Sequence, residues 1–222
     1  MLLVTFAVPH ESRHFRRCAA AARVRLLHTG IGGAAAASAL RQALEAARPS
    51  AVISSGFAGG LDANLQVGDV LADSMASSAQ LLDQLSTDIL RGHICSVETP
   101  ADSPARKTQL HVQTKAHAVD METGSIAAEC SRAGIPLLVL RAISDAATDE
   151  IPVPLDVAWD LSVQRPRPLR LIAYLARNPS RIAPFARFLR QTNHASLKLG
   201  AALARLIPVL GADVFHCADW QG

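Results

Sequence analysis

The chain has 222 residues, of which 50% are hydrophobic, 18% charged and 4% aromatic, so it predicts one domain with an aliphatic core and excludes a disordered protein. The formal net charge of +3 combines a segment, 165–205, that carries eight Arg, one Lys and no acidic residue with a remainder near −6. No nucleic-acid motif accompanies this basic segment, so nucleic acid is not an expected partner.

In chain order, the first predicted element is a strand at Leu2–Val8, preceded by no basic residue and therefore not a signal peptide. A second strand, Val24–His28, is followed by the Gly30–Gly33 turn and an Ala-rich helix at Ala34–Ala47. A third strand, Ala51–Ser55, enters a second glycine turn, Gly56–Gly60.

The second half predicts fewer elements. Val67–Leu71 is expected to form a turn and a strand, whereas 73–103 shows little periodicity and predicts loops with one helix. Asp120–Ala133 predicts a helix that ends at Gly134, and Ile135–Ile143 predicts a strand buried on both faces. Alternating strands and helices indicate a single α/β domain whose mixed, largely parallel sheet is flanked by helices.

The four cysteines, Cys18, Cys95, Cys130 and Cys217, lie far apart and form no CxxC pair. Their spacing predicts reduced thiols and no metal site, and hence a cytoplasmic protein. No stretch reaches the ~20 apolar residues of a membrane span.

Three carboxylates follow or lie near predicted strand ends: Glu11, Glu122 and Asp145. Open α/β sheets bind ligands at the carboxyl ends of their strands. Cleavage of an N-glycosidic bond passes through a ribosyl cation, which requires negative charge near the sugar and a proton donor at the leaving base. Each carboxylate also has a structural explanation: Glu11 as a surface residue, Glu122 as a favourable charge at a helix start, and Asp145 as a helix cap.

Gly30–Ala35 also fits the GxGxxA fingerprint of a dinucleotide-binding oxidoreductase. The following strand ends in Ser54-Ser55-Gly56, where that fold needs an acidic residue for the ribose. The dinucleotide interpretation is therefore the weaker one.

Five ordered motifs resemble the nucleoside phosphorylase family, especially its methylthioadenosine/S-adenosylhomocysteine nucleosidase branch. They are Thr29-Gly30-Ile31-Gly32, the segment Val52 to Leu61, Val67-Gly68-Asp69-Val70, Ala118-Val119-Asp120-Met121-Glu122, and Val139 to Asp145. The resemblance implies a purine nucleoside phosphorylase or nucleosidase that acts without a cofactor, with phosphate as an optional co-substrate.

The resemblance also implies residue roles. Asp145 would donate a proton to N7 of the purine, with Ser144 orienting it, and Glu11 would activate the attacking water. Met121 would pack on the ribose, and Glu122 would accept hydrogen bonds from the ribose hydroxyls. Gly32, Ala58, Gly59 and Pro100 would complete the substrate site.

Two C-terminal segments, Gln164-Arg165-Pro166-Arg167-Pro168 and Leu175 to Ser180, are similar to the hopanoid-associated nucleosidase/phosphorylase group. This resemblance implies release of adenine from adenosylhopane, and we expect a domain over 1–160, a basic helical extension over 161–210 packed on it, and a tail over 211–222. Apolar residues at helical spacing beside Arg in the extension suit peripheral contact with an anionic membrane. They also suit helices whose apolar faces cover the sheet while Arg faces water.

Several features depart from the family pattern. Ser54 and Ser55 stand where phosphorylases carry a phosphate-binding Arg, although Arg13 could reach an anion from the first loop, so water and phosphate both remain possible nucleophiles. The segment from Glu98 to Asp102 lacks an aromatic residue for stacking on adenine. Homo-oligomerisation is expected by analogy alone.

The sequence thus leaves several functions open. The first is cleavage of adenosylhopane, with methylthioadenosine, adenosylhomocysteine or futalosine as alternative substrates of the same reaction. A nucleotide-binding or membrane-associated module without activity is the alternative of another class, and the retention of Glu11, Glu122 and Asp145 together argues against it.

Overall fold

The computed structural model describes residues 1–15 and 24–218, with side chains described up to residue 210. An eight-stranded sheet contains β1 (Leu2–Phe6), β2 (Val24–His28), β3 (Ala51–Gly60), β4 (Val70–Asp73), β5 (Leu90–Gly92), β6 (Ile94–Ser96), β7 (Ala118–Asp120) and β8 (Leu137–Asp145). The helices are α1 (Gly33–Ala46), α2 (Ala79–Leu82), α3 (Pro104–Thr114), α4 (Thr123–Ala133), α5 (Leu155–Ala158), α6 (Pro168–Arg177) and α7 (Ile182–Ala218). Strands β9 (Trp159–Asp160) and β10 (Arg165–Pro166) form a separate hairpin.

The sheet is mixed and largely parallel, as the sequence predicts. Strands β2, β1, β3 and β8 lie side by side in parallel, and β4 joins β8 in the antiparallel sense. Strand β7 pairs antiparallel with the end of β3, and β6 runs parallel to β7. The carboxyl ends of β1, β3 and β8 therefore meet at one edge, where a ligand site is expected.

Alternation along the strands divides the core into two layers. Leu2, Val4 and Phe6 of β1 face a cluster that includes Leu199 and Leu203 of α7. Leu3 faces the opposite cluster, which α1 and α4 cover. Because successive side chains of a strand point to opposite faces, this buried sequence requires helices on both sides of the sheet.

The predicted Gly56–Gly60 turn is wrong, since β3 continues as a strand through all five residues. Gly59 and Gly60 pair there with Val119 and Ala118 of β7, which gives this run of small residues a partner strand. Local sequence predicts a turn for such a run, and the tertiary pairing overrides it.

Two other predicted elements also differ. The segment 73–103 contains the short strands β5 and β6 besides the one-turn helix α2, although only one helix and loops were predicted. Asp145 does not cap a helix, because it is the last residue of β8 and a turn follows it. The explanation of Asp145 as a helix cap is therefore excluded.

The two main helices of the basic C-terminal region differ in how they pack on the domain. The middle of α7 packs on the sheet, with Ala195, Leu199 and Leu203 fully buried. Helix α6 buries none of its residues, so it does not cover the sheet with its apolar face, contrary to one of the two expectations. The boundaries proposed at residues 160 and 210 stay predictions. Within the described part of the chain, no helix has the length and hydropathy of a membrane span.

Candidate active site

A cleft of about 360 Å³ lies at the edge where β1, β3 and β8 end. Glu11, Glu122 and Asp145, far apart in sequence, all line it, together with Met121, Ser144, Ala58, Gly59 and Pro100. Three carboxylates thus face one largely apolar space. A fourth carboxylate, Asp120, also lines the cleft, and the described lining contains no Arg or Lys, so negative charge is concentrated where a cation would be stabilised.

Glu11 is buried rather than an ordinary surface residue, and backbone donors hold both of its carboxyl oxygens. Oε2 accepts hydrogen bonds from the N–H groups of Ala7 (2.7 Å) and Val8 (3.1 Å), and Oε1 accepts one from Phe57 (2.9 Å). A Cβ on Gly56 would lie 3.0 Å from Oε1, so any larger residue would require this carboxyl to move by a few tenths of an ångström. Burial raises the pKa of Glu11, and the Phe57 N–H partly opposes that shift.

Glu122 occupies the N-cap position of α4, but its side chain does not cap the helix. Its Oε1 instead accepts a hydrogen bond of 2.7 Å from the N–H of Gly32. Gly32 has φ +95°, a conformation that favours glycine and turns this N–H toward the carboxylate. Burial, followed by the charge of Asp120, raises the pKa of Glu122 to about 7.

A buried ion pair fixes the start of α4. The Nε of Arg141, whose side chain is 2% exposed, donates to Oδ2 of Asp120 at 2.8 Å. Its other nitrogens donate to Ser54 and Thr123, so one guanidinium joins β8, β3, β7 and α4. Removing one partner would leave a buried, unpaired charge. The pair therefore sets the position of Met121 and Glu122 in the cleft.

Asp145 is buried and has partners on both carboxyl oxygens. Nζ of Lys107, on α3, lies 2.5 Å from Oδ2, and the Ser144 hydroxyl donates to Oδ1 at 2.6 Å. A Cβ on Gly59 would lie 3.1 Å from Oδ2, so a side chain at this position of β3 would press against the carboxyl. The Ser144 hydroxyl thus holds one carboxyl oxygen of Asp145, and Lys107 is an additional partner that the sequence analysis missed.

Aromatic side chains enter the cleft from outside the predicted base segment. Pro100 and Ala101 line the wall without an aromatic ring, whereas Phe57 of β3 and Phe188 of α7 supply two. Phe57 also contacts His10 edge to face, with ring centroids 6.0 Å apart. The missing aromatic of the 98–102 segment is therefore offset by rings from other elements.

A second, larger cavity of about 670 Å³ adjoins the cleft and is lined mostly by apolar residues. The two cavities share Pro100, Met121, Ile151, Leu155 and Phe188. Val153, Leu161 and Phe185 line the second cavity but not the cleft, and we call this second cavity the apolar groove. The ribose end of a ligand could lie among the carboxylates while an apolar substituent extends into this groove.

Two predicted residues lie outside the cleft lining. Gly32 lines a neighbouring cavity and acts on the cleft through its hydrogen bond to Glu122. Arg13 is exposed, and among the described residues the cleft lining contains no Arg or Lys at all. An anion entering the cleft would meet these carboxylates with no guanidinium or ammonium group in the described lining.

Comparison with known proteins identifies the family of this chain. Residues 3–76 and 72–176 match the phosphorylase superfamily. The chain belongs to the phosphorylase superfamily. This membership confirms the predicted enzyme class and excludes the dinucleotide-binding alternative as a family assignment. The 5'-methylthioadenosine/S-adenosylhomocysteine nucleosidase of Glaesserella parasuis serovar 5 is 31% identical over 177 residues, which is 64% of this chain and 76% of that protein.

Solved structures of this superfamily share the fold. The native futalosine hydrolase of Helicobacter pylori has a TM-score of 0.70 at 17% identity and covers 93% of this chain and 97% of its own. The 5'-methylthioadenosine/S-adenosylhomocysteine nucleosidase of S. pneumoniae, with a transition-state inhibitor, has a TM-score of 0.69 at 18% identity, covering 94% and 99%. These likenesses confirm the α/β fold class.

Proposed function

We propose that this protein hydrolyses the N-glycosidic bond of an adenosine-type nucleoside. The observation that carries the proposal is the convergence of Glu11, Glu122 and Asp145 on one cleft. Glu122 accepts hydrogen bonds from the ribose hydroxyls, Met121 packs on the sugar, and Asp145 protonates N7 so that the base departs as a neutral molecule. The negative side chains stabilise the ribosyl cation that forms as the bond breaks.

Water is the proposed nucleophile, with Glu11 as the base that activates it. Burial raises the pKa of Glu11, which makes it a stronger base than an exposed carboxylate. The absence of Arg and Lys from the described cleft lining disfavours phosphate, which would need positive charge to enter. This assignment requires no cofactor and gives Arg13 no role in catalysis.

The proposed substrate is adenosylhopane, with release of adenine. The apolar groove of about 670 Å³ supports a large apolar 5′ substituent, because it continues from the ribose end of the cleft and contains Phe185, Leu161 and Val153. A methylthio group would leave most of this volume without a contact. Methylthioadenosine, adenosylhomocysteine and futalosine remain the alternative substrates.

A lipid-borne substrate requires access from a membrane, and α6 offers a surface for it. Leu169 is 82% exposed and Ile172 is 63% exposed, and Arg187 and Arg190 lie exposed on the next helix. Leu189 lines the cleft and is also exposed, so the basic, apolar surface reaches the site. We propose peripheral binding of this surface to anionic lipid at the cytoplasmic face.

Purified protein incubated with adenosylhopane, methylthioadenosine, adenosylhomocysteine and futalosine, each with and without phosphate, tests the reaction and the substrate together. Release of free base measured by chromatography should be fastest for adenosylhopane and independent of phosphate. Faster cleavage of methylthioadenosine would overturn the substrate, and phosphate dependence would overturn the nucleophile. No base release from any of them would leave the non-catalytic module as the better interpretation.

A further inference from the structure

Lys107 is a fully buried lysine of α3 that contacts the cleft residue Asp145 and the turn after β8. Its side chain is 0% exposed, and Nζ lies 2.5 Å from Oδ2 of Asp145, 2.6 Å from the carbonyl oxygen of Ala146 and 3.0 Å from that of Asp149. An ammonium has three N–H donors, and here three acceptors take them. Each of the three donors therefore has an acceptor, and none is left over.

Burying the amino group of Lys107 is energetically unfavourable without polar partners. Lys107 shares the buried face of α3 with Leu110, at a position where an apolar residue would suffice for packing. Its carbonyl partners belong to the turn after β8, and the carboxylate of Asp149 fixes that turn by accepting from the N–H of Ala146 (2.9 Å) and from Gln191 of α7 (3.0 Å). Burying a charge is unfavourable unless it is paired, so a lysine with dedicated partners at this position indicates a functional role.

We propose that Lys107 is the positioning residue that makes Asp145 an effective proton donor. This inference rests on the proposed cleavage of a purine nucleoside. When the C1′–N9 bond breaks, its electron pair goes to the base, the proton of the Asp145 carboxyl goes to N7, and Asp145 becomes a carboxylate. In a buried site that new charge needs a partner, and the ammonium of Lys107 is in place to stabilise it.

Lys107 also fixes which oxygen does the chemistry. With Oδ2 bound to Nζ and crowded by Gly59, the other oxygen, Oδ1, remains beside Ser144 at the cleft. The role is specific to leaving groups that must accept a proton. A nitrophenyl leaving group departs as a stable anion and should not require the pair.

The test compares Lys107→Met with the unchanged protein on two substrates that share one 5′ substituent, an adenine nucleoside and a 4-nitrophenyl riboside. We expect kcat for adenine release to fall about 100-fold, as for the loss of general-acid help, with KM nearly unchanged. The nitrophenyl rate should fall less than about threefold. Lys115→Met, an exposed lysine at the end of the same helix, should leave both rates unchanged.

A double variant keeps the test informative if Lys107→Met does not fold. Asp145→Asn with Lys107→Met leaves no unpaired buried charge, and its adenine-releasing rate should equal that of Asp145→Asn alone because Lys107 acts only through Asp145. A further loss of about tenfold in the double variant, or equal losses on both substrates in the single one, would overturn the role of Lys107. An unchanged protein that releases no base would instead refute the proposed function.

Discussion

Asp145 is the residue on which leaving-group chemistry depends in this proposal. Asp145→Asn keeps the shape and can still accept from Lys107, but an amide has no acidic proton to give. We expect kcat for adenine release to fall about 100-fold or more. Rapid-quench measurement of free adenine checks this value, with Asp83→Asn, an exposed carboxyl at the end of α2, as a comparison that should retain full activity. An unchanged rate in Asp145→Asn would mean that the proton comes from another group.

The protonation of Glu122 makes the folding stability of the protein depend on pH. Its pKa is about 7 in the folded protein and near 4.5 when unfolded, so between those values the folded state binds more protons. Stability therefore falls as pH rises from 4.5 to 7 and stays low above it. Glu122→Gln removes this loss of stability, which we put at about 1–2 kcal/mol. We therefore expect the Tm of the variant at pH 8 to exceed that of the unchanged protein by a few degrees.

Thermal unfolding at pH 5 and pH 8 measures this difference. The two proteins should be closer in Tm at pH 5, where Glu122 is largely protonated in the folded state. Glu45→Gln, an exposed carboxylate on α1, is the matched control and should show no such pH dependence. A Tm of Glu122→Gln below that of the unchanged protein at both pH values would show that its hydrogen bond to Gly32 outweighs its burial.

Helix α6 is the element that connects the charge pattern to the proposed membrane contact. Replacing Leu169 and Ile172 with Ser removes two exposed apolar side chains without touching the core. We expect flotation with anionic liposomes to fall at least severalfold, since binding of such a surface scales with the apolar area that enters the lipid. Base release from a water-soluble nucleoside should be unchanged.

Leu197→Ser serves as the control for that experiment because Leu197 is exposed on α7 but lines neither cavity. Equal flotation of the two variants, or no flotation of the unchanged protein at low salt, would remove the membrane proposal. The catalytic proposal would stand in either case.

The elements that the sequence predicts correctly are those with long apolar runs or clear ends. Strand β8 is nine buried residues, and α1 follows a glycine turn, so length and local signals suffice. Strands β5, β6 and β7 have three residues each, which is too short for any period to show. The sequence predicts the second half of β3 wrongly. Its glycines lie against the side chains of Glu11 and Asp145, and this contact between distant parts of the chain has no local sequence signal.

The residues of the candidate site also include some that the sequence predicts and one that it does not. Glu11, Glu122 and Asp145 could be predicted because motifs and strand ends identify them before folding is known. Lys107 could not, since its partners lie 38 or more residues away and an isolated Lys on a helix is normally solvated. The only local sign is that Lys107 precedes Leu110 by three positions, on the face that α3 buries.

At the scale of the whole molecule, the cleft and the apolar groove belong to different parts of the chain, and their combination determines substrate choice. Phe185 of α7 lines the groove but not the cleft. Phe185→Ser should therefore lower kcat/KM for adenosylhopane about tenfold or more, because burial of a phenyl group against an apolar ligand is worth about 1.5–3 kcal/mol. Methylthioadenosine, which does not reach the groove, should be cleaved at an unchanged rate.

The ratio of the two kcat/KM values is the decisive quantity, because a general loss of stability would lower both. Leu197→Ser, which adds a hydroxyl to the same helix away from the groove, should leave the ratio unaltered. A ratio that stays constant in Phe185→Ser would show that the groove does not bind the 5′ substituent. Hydrolysis by the three carboxylates would then remain, and the substrate would be one of the smaller nucleosides, whose 5′ group ends within the cleft.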